Sequence, residues 1–194
     1  MRQQFSGAAI EIFAYTLNFS KDFTDEELDK CFQQARALRV KTIASSTQIS
    51  MLPRLKPLAE KYKMPVAVHG HSETSNPDEF SSPETFQKAL DMSPWFKLNL
   101  DIGHFSAAGF DPVAYIEEHR ARITHLHLKD RQKNNGVNKP FGEGDTSIKH
   151  VLQLLKQKGY PIPALIEYEY PGAGSPIEEV NKCLAYCRNA IEQS

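Results

Sequence analysis

Six times between Ala8 and Ile191 a short apolar run gives way to a helical pattern, at about 30 residues per unit. The runs are Ala8 to Leu17, Lys41 to Ser46, Pro65 to Gly70, Phe96 to Ile102, Ile123 to Leu128 and Pro163 to Tyr170. Thr24 with Glu27 three residues on makes a capping box, and Leu28, Phe32, Ala35 and Leu38 follow at helical spacing. Further helices are expected over Leu52 to Tyr62, Pro83 to Met92, Asp111 to Arg120, Ser147 to Lys158 and Ile177 to Ile191. Strand–helix alternation of this kind builds a parallel sheet or barrel. An open doubly wound sheet also fits, but the glycine fingerprint for phosphate after the first strand is absent. A closed eight-unit barrel usually needs about 250 residues, so this chain reads as two units short.

The 194 residues read as one domain, 1–194, with no internal linker. A net charge of −1 and no basic run exclude a nucleic-acid or anionic-membrane partner as the expectation. No apolar stretch reaches the roughly 18 residues of a membrane span, and the first residues lack the apolar centre of a signal peptide. Cys31, Cys183 and Cys187 make no disulfide framework, and Cys183 and Cys187 share a helix face suited to the core. A cytoplasmic location is expected.

Four of the apolar runs end in histidine or carboxylate: Val66 to His71, Leu98 to His104, Ile123 to Asp130 and Ala164 to Glu169. Parallel strands bring such ends to one rim. Alternation places His69 with His71, His125 with His127, and Glu167 with Glu169 on common faces, and Asp101 can join them from the strand between. Burying Asp101 and Glu167 together is costly without a cation, so His69, Asp101, His127 and Glu167 read as a metal-ligand set. Two imidazoles with two carboxylates suit Mn, Zn, Co or Fe better than Mg. A lone strand histidine is more often a hydrogen-bonded core residue; for His71 and His125 the competing reading is substrate contact. His104, just past Gly103, is read as a substrate or second-layer contact, and Lys129 as a partner for a substrate oxyanion. The polar segment Lys129 to Asp145 reads as a binding lid.

Ala67-Val68-His69-Gly70-His71, Leu100-Asp101-Ile102-Gly103-His104, His125-Leu126-His127-Leu128-Lys129-Asp130, Phe141-Gly142-Glu143-Gly144 and Ile166-Glu167-Tyr168-Glu169 carry a resemblance. Together they are similar to the sugar phosphate isomerase/epimerase group of the xylose isomerase-like TIM barrels, over nearly the whole chain. The resemblance implies an incomplete TIM-barrel-like parallel (βα) repeat, an open barrel whose first strand matches the third of the family. It implies metal ligation by Asp101, His127 and Glu167, with His69 where the family carries a Glu, and substrate contact by His104. Glu167 and His69 become the acid/base candidates, acting on a small sugar or keto-sugar through an enediolate. A keto-sugar dehydratase or lyase would use the same site, and a non-catalytic open-barrel fragment retaining the metal site is the reading from another class. Unpaired edge strands imply a homodimer that covers the open side.

Overall fold

The computed structural model describes residues 2–193. In chain order the elements are α1 (Arg2–Gly7), β1 (Ala14–Thr16), α2 (Asp25–Leu38), β2 (Thr42–Ser45), α3 (Leu52–Tyr62), β3 (Val66–His69), α4 (Pro83–Met92) and β4 (Phe96–Asp101). There follow α5 (Ile102–Ala107), α6 (Pro112–His119), β5 (Ile123–Leu128), β6 (Asp130–Arg131), β7 (Asn138–Lys139), α7 (Ile148–Lys158), β8 (Ala164–Ile166) and α8 (Pro176–Glu192). Six strands form one parallel sheet in the order β1-β2-β3-β4-β5-β8, curled into a half-barrel. β6 and β7 make a separate antiparallel ribbon.

Local chemistry explains the helix limits. Thr24 closes the expected capping box on Glu27, and Ser82 and Ser175 make the same device at α4 and α8. Gly159 ends α7 in the left-handed conformation that glycine adopts without a Cβ clash. The apolar helix faces meet the sheet: Phe32 stacks on Phe19 and Tyr62, and Leu28, Leu55, Leu98 and Leu100 are fully buried. Each such side chain contributes about 1.5–3 kcal/mol through its removal from water. Cys183 and Cys187 lie buried in α8 as free thiols.

The structure adds to or departs from the sequence reading at the sheet edges and strand ends. β1 and β8 are three-residue strands, shorter than the runs Ala8 to Leu17 and Pro163 to Tyr170, because each sits at an edge with one neighbour to bond. Before β1, Arg2–Gly7 is helical and Ala9 turns the chain at φ 57°. Beyond β4, the chain enters α5 directly, since the Asp101 carboxylate accepts the His104 backbone N–H at 2.8 Å and caps a new helix. Within the Lys129 to Asp145 segment, Asp130–Arg131 and Asn138–Lys139 pair as the β6–β7 ribbon.

Candidate metal centre and active site

Register brings the polar strand ends together. His69 pairs with Asn99 across β3 and β4, and Asp101 pairs with His127 across β4 and β5. Glu167 lies one residue past β8, and its N–H still donates to Leu128 O at 3.0 Å, extending the β5–β8 ladder. The ligand atoms of His69, Asp101, His127 and Glu167 all fall within 4.8 Å of one another.

Hydrogen bonds orient this set. Ser46 Oγ lies 3.1 Å from His69 Nδ1, which leaves His69 Nε2 turned toward Asp101 Oδ2 at 3.6 Å. His127 holds Glu167 Oε2 on Nδ1 at 2.9 Å and faces Asn99 Nδ2 from Nε2 at 3.2 Å. His69 Nε2 and Asp101 Oδ2 are both buried without a hydrogen-bond partner. An unsatisfied buried polar atom costs about 1–3 kcal/mol, and two facing each other inside a His/Asp/His/Glu cluster are what a divalent cation would satisfy. The donor set fits such an ion.

Lys129 is the counter-charge at the centre. Its side chain is 2% exposed, and its ammonium lies 3.3 Å from Asp101 Oδ2, 3.2 Å from Glu167 Oε2 and 2.7 Å from Glu169 Oε2. Three carboxylates against one ammonium leave negative charge for a cation to balance. Burial opposes the charged form of Lys129, but Asp101, Glu169 and Glu167 raise its pKa above the ordinary lysine value. Burial works against the Asp101 carboxylate too; the contact with His69 and the neighbouring His104 and Lys129 hold its pKa well below the usual range. For His104, burial together with Lys129 and Arg131 outweighs Asp101 and lowers the imidazole to about 3.

These groups open onto a cavity of about 470 Å³ at the C-terminal ends of the strands, the face where barrel enzymes carry their sites. His69, His71, His104, His127, Lys129, Glu167 and Glu169 line it. His71 sits there half-buried with its Nδ1 against Glu79. His125 does not line the cavity: it is 1% exposed, packed edge-on against Phe13 at 5.5 Å, with Thr124 Oγ1 2.8 Å from Nδ1 and its pKa lowered by burial to about 3.

Several site residues carried weak or no sequence signal. Asn99 stands two residues before Asp101 on the same strand face, so alternation could have found it. Ser46, Ser72 and Glu79 come from loops, where spacing says nothing about direction. Asp130 accepts the backbone N–H groups of Gly142, Gly144 and Thr146 at 2.7, 3.1 and 3.2 Å and so pins the Phe141-Gly142-Glu143-Gly144 turn. A Cβ on Gly144 would strike the Asp130 carboxylate, which explains the glycine there.

The half-barrel of (βα) units and the carboxylate–imidazole cluster at its rim define the class: an open TIM-type barrel with a candidate divalent-metal site. The sequence profile described as "Xylose isomerase-like TIM barrel" matches residues 44–189, and the chain belongs to that family. The L-ribulose-5-phosphate 3-epimerase UlaE of Salmonella paratyphi A is 38% identical over 90 residues. That match covers 46% of this chain and 32% of the relative, so the shared stretch is about a third of the curated enzyme. A xylose isomerase domain protein from Planctomyces limnophilus superposes with a TM-score of 0.74 at 16% identity, covering 100% of this chain and 83% of that one. The IOLI protein, whose crystal structure holds a zinc atom, reaches 0.77 at 15% identity, covering 99% and 80%. At those identities the likeness is one of fold.

Proposed function

We propose that the chain is a divalent-metal-dependent isomerase or epimerase of a small sugar or keto-sugar, working through an enediolate. The observation that carries this reading is the pair of buried ligand atoms without a hydrogen bond, His69 Nε2 and Asp101 Oδ2, within a four-residue donor cluster at a polar cavity. The epimerase named among the relatives supports the substrate class, and the zinc in one structural neighbour supports the ion. We assign His69, Asp101, His127 and Glu167 as the ligands of Mn, Zn, Co or Fe. Such an ion, when bound, acts as a Lewis acid that lowers the barrier to losing a proton beside a carbonyl.

The chain's own groups divide the remaining work. Glu167 takes the proton from the carbon next to the carbonyl and returns it, as a positioned carboxylate does. His69 has Nδ1 at Ser46 and Nε2 turned to the cluster, so we place it in the ligand set and not as a second acid/base. Lys129 and His104 face the oxygen that gains negative charge. His71 contacts a more distant hydroxyl. A proton moved by one carboxylate on one face suits isomerisation directly; epimerisation needs a second group opposite. Around the open edges, with Leu165 on β8 41% exposed, we propose a second copy of the chain as the covering partner.

The test is exchange of substrate carbon-bound hydrogen in deuterated water, followed by NMR with metal-loaded protein and a panel of pentuloses, hexuloses and their phosphates. The reading expects deuterium at the carbon beside the carbonyl, reduced ~10²–10⁴-fold by Glu167→Gln. Loss of water from the sugar would identify the dehydratase chemistry instead. Tight metal binding with no exchange on any sugar would leave the non-catalytic reading standing.

A further inference from the structure

We propose that a groove beside the metal cavity is a distal subsite for a neutral, hydroxyl-bearing group, so that the preferred substrate is a keto-sugar carrying a second sugar ring and not a sugar phosphate. The inference deepens the reading above and rests on it for the reacting end of the substrate. The groove, about 690 Å³, lies between the β6–β7 ribbon and the chain beyond β8. Glu169 lines both the groove and the metal cavity of about 470 Å³, so one side chain forms the partition between them. Small-molecule sites run from about 300 to 1,000 Å³, and each of these spaces reaches that range alone. The metal cavity houses a single ketose, which leaves the larger groove for whatever that sugar carries.

The groove calls for a ligand with hydrogen-bond donors. Asn138 is held in the ribbon by its pairing with Arg131 across β6 and β7. Its Nδ2 lies 3.4 Å from Glu169 O and 3.5 Å from Glu169 Oε2, both long for an N–H···O bond. Those two oxygens only accept, so the amide must present its nitrogen to them. Asn138 Oδ1 is then left buried, with no hydrogen-bond partner among the described residues. A buried acceptor without a donor is costly, and a sugar hydroxyl repairs it because a hydroxyl both donates and accepts. A phosphate dianion offers acceptors only.

Charge points the same way. Arg131 lines the groove, but its guanidinium is committed: Nη1 donates to Ser72 Oγ at 2.7 Å, and Nε and Nη2 donate to Gly136 O at 3.1 and 2.7 Å. Glu169 is held by the Lys129 ammonium at 2.7 Å. Lys139 and Glu143 remain, one charge of each sign. Phosphate sites gather free cations or helix N-termini, and one lysine beside two carboxylates is a poor substitute. The walls suit a sugar ring. Val137, 62% exposed, and Pro171 give apolar surface, and Tyr170 adds an aromatic one. The Tyr170 ring is fixed, with its hydroxyl donating to Glu179 Oε2 at 3.0 Å and Tyr168 edge-on at 4.8 Å. Apolar walls with a few placed polar groups hold the C–H face and the hydroxyls of a ring together.

Isomaltulose and fructose 6-phosphate carry a glucosyl ring and a phosphate on the same oxygen of the same ketose, so with free fructose they make a matched set. Maltulose and lactulose move the second ring to another hydroxyl. Zinc-loaded protein is titrated with each by calorimetry, and saturation-transfer NMR reads which sugar protons touch the protein. At least one keto-disaccharide is expected to bind about 10-fold more tightly than fructose, with its second ring saturated, and fructose 6-phosphate no more tightly than fructose. Asn138→Leu removes the amide, and Val137→Trp narrows the groove from an exposed position. Each is expected to erase most of the ratio between disaccharide and fructose. Should Asn138→Leu fail to fold, Val137→Trp still decides. Tighter binding of the phosphate, no preference for any of the three disaccharides, or a preference that survives in the folded variants overturns the proposal. A disaccharide preference without deuterium exchange on any sugar overturns the functional reading alone. Exchange on free ketoses without that preference overturns the subsite alone.

Discussion

The centre and the edges of the sheet are built from similar sequence and behave differently. β2, β3 and β4 have neighbours on both sides, and all but one of their residues, Lys97, are buried. β1 and β8 have one neighbour each, run for three residues, and have no fully buried position. Three of the four metal-ligand candidates lie on strands with two neighbours: His69 ends β3, Asp101 ends β4 and His127 lies within β5. Glu167 hangs from the edge strand, with 27% of its side chain exposed. The difference agrees with the roles proposed above. In the proposed reading His69 and Asp101, buried at the ends of doubly flanked strands, are fixed ligands, and Glu167 at the edge is the proton carrier.

Truncation at the centre should have the largest effect on stability. Phe96→Ala removes a fully buried ring from β4 and is expected to cost about 3–5 kcal/mol, measured by urea unfolding; a cost under about 1 kcal/mol would break the contrast between centre and edge. Adding zinc or manganese at ~100 times its Kd should raise unfolding free energy by about 2.7 kcal/mol, seen as an upward shift in Tm that chelation reverses. Asp101→Asn, which keeps a capping oxygen but not the charge, should abolish that shift. Removing the N-cap hydroxyl of α2 by Thr24→Ala should cost about 1 kcal/mol, since the cap is distant from both sheet regions. At the edge, Leu165→Ala is expected to change unfolding free energy by less than about 0.5 kcal/mol in a monomer. A much larger, concentration-dependent loss would show instead that β8 is covered by a second chain; light scattering of the same sample separates the two.

Much of the site was legible because strand alternation is a local rule. His69, Asp101, His127 and Glu167 could be grouped from parity alone, and their ligand atoms do converge. Parity put His125 on the face of His127 along β5 but could not tell core from cavity; it lies a residue pair deeper, where Phe13 packs edge-on against it. It was also silent on α5: an aspartate ending a strand looks the same whether it caps a helix or ligates an ion, and Asp101 has one oxygen for each task.

The sequence by itself determined the (βα) alternation, the family, the helix caps and the convergence of polar strand ends, because each follows from periodicity or a contact within a few residues. Only the tertiary structure decided how far the edge strands run, which histidines reach the cavity, and that Lys129 meets three carboxylates at once. It alone joined Arg131 to Ser72 and His104, 59 and 27 residues away in the chain. Directional hydrogen bonds over such separations depend on where the folded sheet and the ribbon put two side chains, and no local spacing records that.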